Sequence, residues 1–85
     1  FFDTLGAVQE ATGRPRDAED SYSRGLRKSP DHPVLNFHMG KLLLADRNRT
    51  LKAISHLEKA YASRNRLSPA MADEVASLMK KASRN

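Results

Sequence analysis

The chain has no cysteine and no tryptophan, and only four glycines and four prolines in 85 residues. Without cysteine there is no disulfide framework and no thiolate metal site, and the redox compartment stays open. No apolar run approaches the ~20 residues of a membrane-spanning helix, and no signal-peptide pattern is present. There is no glycine-rich phosphate loop, no nucleophile elbow, and no carboxylate pair that spacing alone would bring to one site. The three histidines, His32, His38 and His56, form no i, i+4 pair, and no carboxylate stands with them at ligand spacing. We therefore expect no catalytic, cofactor-binding or metal-binding residue. An enzyme is not expected.

Positive charge is in moderate excess. Fifteen Lys and Arg against ten Asp and Glu leave a net charge of +5, without a polybasic tract. Arg47, Arg49 and Lys52 gather at one turn, and Arg64 and Arg66 precede the last helical segment. Such groups bind phosphates, but selective RNA recognition also wants aromatic stacking surfaces. Only five aromatics exist, and Phe1, Phe2, Tyr22 and Phe37 have packing roles. An RNA-binding helical repeat is kept as an alternative behind protein binding, and no membrane contact is expected. The expected setting is a soluble compartment, with the cytoplasm favoured.

What the sequence does contain is helical pattern with regular punctuation. Apolar residues recur at helical spacing from Phe1 to Ala11, and Gly13 can take the left-handed conformation that ends a helix. Pro15 suits the first position of a second helix. That helix runs to about Lys28, with Asp17, Glu19 and Asp20 near its start and Arg27 and Lys28 at its end, each favourable to the helix dipole. Ser29-Pro30-Asp31-His32-Pro33 stops it and starts a third, with Asp31 or His32 as the cap. The third helix, about Pro33 to Asp46, carries two stripes: Leu35, Met39 and Leu42 on one side, Val34, Phe37 and Leu44 on the other. A surface helix needs one stripe, so this one is expected at the centre of a stack. Thr50 is the expected N-cap of a fourth helix, with Leu51, Ile54, Leu57 and Tyr61 on its buried face. Ser68 and Pro69 open a fifth, whose single stripe is Leu67, Met71, Val75, Leu78 and Met79.

A repeat underlies these helices. Gly6 and Gly40 lie 34 residues apart, each after a bulky apolar residue (Leu5, Met39) inside a helical segment. Glycine inside a helix costs roughly 1 kcal/mol relative to alanine, so two in one register imply close backbone approach. Ala18 and Ala53, Tyr22 and Leu57, and Gly25 and Ala60 follow at an offset of 35, the extra residue falling in Asp46-Arg47-Asn48-Arg49-Thr50. A period of 34 is the length of a helix–turn–helix repeat.

Phe2-x-x-Leu5-Gly6, Gly13, Ala18, Tyr22 and Pro30, with a second copy around Met39, Gly40, Leu43, Ala53, Leu57 and Ala60, resemble the tetratricopeptide repeat (TPR) family. The likeness covers about residues 1–62. In the second copy Asn36 stands where a large aromatic is favoured and Arg47 where glycine is expected. The resemblance implies an all-α fold, a right-handed α-α superhelix of two units (about 1–32 and 33–66) closed by a capping helix at about 68–83. It also implies a non-catalytic scaffold that holds a protein or peptide in a concave groove lined by the first helix of each pair. Carried over, the groove residues are Asp3, Ala7 and Glu10, with Val34, Phe37, His38, Lys41 and Leu44. Phe37 would be the apolar anchor and Lys41 the electrostatic contact, although Val34, Phe37 and Leu44 equally suit packing against the first and fifth helices. A subclass grips chaperone C-terminal carboxylates with Lys and Asn; Asp3, Ala7, Phe37 and Lys41 occupy those places, and Asp3 would repel a carboxylate. The chaperone clamp is disfavoured.

Phe1-Phe2 opens the chain without Met or a helix cap, which reads as an excised piece whose preceding unit would cover both rings. As isolated, that edge is expected to self-associate into a homodimer, or the segment to serve only to extend a longer superhelix. The parent's end is expected at or near Asn85. Stability on the order of 4–13 kcal/mol follows from per-residue scaling.

Overall fold

Proline and glycine punctuation sets the helix boundaries. In the computed structural model, which describes residues 1–83, five α-helices follow one another: α1 (Phe2–Ala11), α2 (Pro15–Lys28), α3 (Pro33–Leu43), α4 (Thr50–Ala62) and α5 (Pro69–Ser83). Short 3-10 turns at Arg47–Arg49 and Arg64–Arg66 precede α4 and α5. No strand occurs among the described residues, and no helix there is long and apolar enough to cross a membrane. The expected chain end at Asn85 lies outside the described residues.

Local chemistry explains each junction. Gly13 has φ +76, the left-handed conformation. It lets the Gly13 amide donate to the Glu10 carbonyl and the Arg14 amide to that of Gln9, which satisfies two end carbonyls of α1 in a Schellman motif. Pro15 then opens α2. Between α2 and α3, His32 is the cap: its Nδ1 accepts from the Leu35 amide at 3.2 Å. Pro33 follows in the first turn.

Two boundaries differ from expectation. Helix α3 ends at Leu43, and Leu44 to Asp46 turn out of it. Asp46 has a job outside the helix, accepting from the Asn48 amide and the Arg49 guanidinium at 3.0 Å each. Thr50 is the first residue of α4 and not its cap; its hydroxyl donates back to the Arg47 carbonyl.

The helices pair as hairpins. Helix α1 packs most extensively on α2 and α3 on α4, α2 against α3 joins the two pairs, and α5 lies mainly on α4. Each hairpin crosses at a glycine. A methyl group at Gly6 would overlap the Tyr22 ring, 2.6 Å from Cζ, and one at Gly40 would lie 2.7 Å from Leu57 Cγ and 3.1 Å from the Ala53 carbonyl oxygen. Tyr22 and Leu57 are fully buried, as are Ala18 and Ala53 one turn earlier on the same helices. Small residues in one helix thus accept large ones from its partner, twice, in the register of the sequence repeat.

Helix α3 has two buried sides, as a central helix should. Leu35, Met39 and Leu43 join Ala18, Tyr22 and Ala53 in one cluster, with Leu42 and Leu44 packed against it. Phe37 joins Ala60, Leu67 and Val75 in a second, with Val34, Met71 and Leu78 around it. Leu44 thus belongs with the first cluster and not beside Phe37. On α4 the buried residues are Ala53, Leu57 and Ala60, whereas Leu51 is 84% exposed and Tyr61 37%. The fourth helix is rotated from the expected face because its small residues, not its large ones, allow close approach to α3. The radius of gyration, 11.7 Å, matches the about 12 Å expected of a compact domain of this size.

The crossings make a stability prediction. Overpacking a filled contact costs about 1–3 kcal/mol, opposed by the ~1 kcal/mol that alanine gains over glycine in a helix. Gly6→Ala and Gly40→Ala should each lose up to about 2 kcal/mol net in urea unfolding, since the hydrogen-bonded Tyr22 ring at Gly6 and the Leu57 Cγ and Ala53 carbonyl at Gly40 have little room to give way. Unchanged or raised stability in both would refute the close-crossing account.

Candidate partner-binding face

Tyr22 turns the first crossing into a site. Its ring lies against Gly6 and its hydroxyl reaches across α1, donating to Glu10 Oε1 at 2.7 Å. Beside it Ser21 donates to Gln9 Oε1 at 2.6 Å. The other edge of the tyrosine faces α3, where the His38 ring stacks on it at 5.4 Å between centroids and 6° between planes. Burial and the Glu10 carboxylate hold the Tyr22 phenol protonated far above its usual range.

His38 is half-buried at the middle of a charged patch. Glu10 and Asp3 from α1, Lys41 from its own helix and Glu74 from α5 all act on its ring electrostatically. Burial outweighs the three carboxylates and pushes its pKa down. Lys41 Nζ meets Glu74 Oε2 at 2.7 Å and lies 5.8 Å from the centroid of the Phe37 ring. Both ion-pair partners are half-exposed, so the pair contributes at most about 1 kcal/mol. Asp3 accepts from the chain's amino terminus at 3.2 Å, and Ala7 is exposed.

The eight residues expected in the groove therefore separate. Asp3, Glu10, His38 and Lys41 converge, with Ala7 on the same helix as the two carboxylates. Phe37 is only 3% exposed, beneath α5 and against Ala60, Leu67 and Val75, so its ring offers no anchor to a partner while α5 is docked. Val34 is half-buried in that same cluster, and Leu44 is half-buried against the first. Leu44 also borders a cavity of about 270 Å³ between α3 and α5, with Lys41, Leu78 and Lys81. Glu74 and Tyr22 were not singled out for this face. The facing of Glu74 depends on how α5 docks, which no spacing within α5 reports. Tyr22 fits a packing role so well that its hydroxyl draws no separate attention.

On the far side of α3, Asn36 is fully buried. Its Nδ2 donates to the Pro30 and His32 carbonyls at 3.0 Å each, tying down the loop between hairpins. That leaves Oδ1 as the acceptor for His56, whose Nδ1 lies 2.9 Å away and must carry the proton. Asn36 is thus a buried polar plug with its hydrogen bonds met. The basic turn is also partly neutralised: Arg49 donates to Glu19 at 2.7 Å and to Asp46 at 3.0 Å, bridging the two hairpins. Arg64 lies over the Tyr61 ring at 4.2 Å.

Burial lowers the pKa of both His38 and His56, with Lys59 and Lys52 adding to the effect at His56. A histidine with a depressed native pKa binds fewer protons folded than unfolded, so stability rises with pH across the interval between the two values. The melting temperature should fall as pH drops below about 6.5, the unfolded value. The pair of changes His38→Gln and His56→Asn should flatten that dependence. A wild-type melting temperature constant from pH 7.5 to 5 would contradict this placement of the two rings.

No protein-family model, curated protein or solved structure matches the chain.

Proposed function

We propose that this chain is a TPR-type, non-catalytic interaction scaffold that binds an extended partner segment along the face shared by α1, α3 and the edge of α5. The observation that carries the reading is the pair of equivalent crossings, Gly6 under Tyr22 and Gly40 under Leu57, in the 34-residue register of the family pattern. The right-handed superhelix belongs to the same proposal, with α5 as its capping helix. Stacked repeats hold their first helices side by side as a rigid surface, which limits the ordering cost of binding a flexible segment.

The charge of this face selects the partner's chemistry. Asp3, Glu10 and Glu74 supply three carboxylates against two ammoniums, Lys41 on Glu74 and the chain's amino terminus on Asp3. Burial lowers the His38 pKa and so disfavours a positive ring on this face. A basic, extended segment suits this face, and a C-terminal carboxylate does not. Phe37→Ala is a poor test, since removing a buried phenylalanine costs about 3–5 kcal/mol of stability. The informative changes are Asp3→Asn, Glu10→Gln and Glu74→Gln, which remove charge and keep size. A fluorescein-labelled nonapeptide of alternating lysine and leucine should bind the wild type and lose about tenfold in affinity to the triple variant, about 1.4 kcal/mol. Binding insensitive to the three changes, or none at millimolar protein, would remove this face from consideration.

A second reading is self-association through α1, favoured by its apolar exposure: Phe1 is 88% exposed, Val8 55% and Leu5 38%. Sedimentation equilibrium should then show a dimer forming with concentration, and Val8→Glu should restore the monomer. A strict monomer near 1 mM would dismiss this reading.

A further inference from the structure

The opposite side of α3 has a depression that none of the preceding readings uses. It lies between α2 and α4, encloses about 290 Å³, and has Leu26, Pro30 and Met39 among its lining residues. Its remaining walls carry Arg27 from α2 and Lys52, His56 and Lys59 from α4, with Ser23 as the neutral polar member. Positions 52, 56 and 59 share one face of a helix. The volume falls just below the usual range for small-molecule sites, enough for one large side chain and too small for a dinucleotide or similar cofactor.

The charge around it is of one sign, with three cations converging on the apolar floor. Four cations outside it are matched by carboxylates: Arg14 with Asp17, Arg24 with Asp20, Lys41 with Glu74, and Arg49 with Glu19 and Asp46. Arg27, Lys52 and Lys59 take part in no ion pair among the described residues, and no carboxylate lines the pocket. His56 registers the resulting field. Besides burial, the charges acting on it are Lys59 and Lys52, both of which oppose its protonation, and no carboxylate lifts it. Its Nδ1 is held by the buried Asn36, so the ring is a fixed wall and not a mobile surface group.

We propose that this pocket docks an acidic partner segment, one apolar side chain seated on Leu26, Pro30 and Met39 and flanking carboxylates set against Arg27, Lys52 and Lys59. An apolar floor inside a rim of uncompensated cations is complementary to that alternation of chemistry. A small inorganic anion would leave the floor wet. A nucleic acid would find no Phe, Tyr or Trp in the pocket on which to stack a base, and the one ring there, His56, is held by Asn36. The site is separate from the His38 face and stands or falls independently of it.

The experiment uses the 85-residue chain and a fluorescein-labelled peptide of sequence Gly-Asp-Glu-Phe-Asp-Glu-Gly at 150 mM salt. Its comparators are the same peptide with serine for phenylalanine, hexaglutamate, and a 20-nucleotide single-stranded RNA. The phenylalanine peptide should perturb NMR signals of Leu26, Met39 and His56 and raise the His56 pKa. Serine for phenylalanine should weaken binding at least fivefold. Lys52→Glu with Lys59→Glu should weaken it at least tenfold, with helicity retained, and the remote Arg64→Glu should leave it within twofold. Equal binding of hexaglutamate, tighter binding of the RNA, perturbations confined to α1 and the Asp3–Glu10 face, or no binding at 5 mM peptide would each overturn the proposal.

Discussion

Close approach of helix backbones at Gly6 and Gly40 is the constraint from which the rest of this structure follows. A side chain at either position would occupy space already filled by Tyr22 or Leu57, so the partner helix can come near only because nothing projects there. The approach fixes the hairpins, and the hairpins fix which face of α3 meets which neighbour. In the first hairpin the large residue is an aromatic with a hydroxyl. The same contact that packs the core therefore also delivers a polar group to Glu10 and a flat surface to His38. In the second hairpin the large residue is leucine, which packs and does no more. Its polar counterpart is supplied from α3 by Asn36, through His56 and the loop carbonyls.

This division places charge of opposite sign on the two sides of α3. Carboxylates from α1 and α5 gather around His38, while Arg27, Lys52 and Lys59 rim the depression between α2 and α4. The net charge of +5 thus conceals an uneven distribution, and the side facing α1 runs against the sign of the whole. Long-range attraction guides association more than it sets affinity, so such a segment would orient a charged partner before contact. Arg49 belongs to a different role: by engaging Glu19 and Asp46 together it spans the junction between hairpins, and its charge is committed to the protein itself.

Much of the architecture was legible in the sequence because its punctuation acts locally. Gly13, Pro15, His32 and Pro33 determine conformation within a few residues of themselves, and the helix ends they implied are the ones observed. The glycine register was legible too, because helical glycine has few reasons to occur twice at one spacing. Less legible was anything decided by docking. The buried face of α4 was misread because Leu51 and Tyr61 are large, whereas close packing on α3 selects Ala53 and Ala60. Phe37 suited a groove anchor and packing under the fifth helix equally well, and it is α5 that covers it. The ion pair of Lys41 with Glu74 depends on that same docking and on nothing local to either residue. Thr50 has the chemistry of a cap but follows a 3-10 turn that Asp46 already caps, so its hydroxyl turns back to Arg47.

The most direct test of the central claim is proton NMR of the folded chain, reading the Hα protons of Gly6 and Gly40. The account predicts nuclear Overhauser effects from Gly6 to the Tyr22 ring and from Gly40 to the Leu57 methyls, with the Gly6 protons displaced by the aromatic ring current. A folded, helical chain in which neither glycine shows its cross-peak would contradict it.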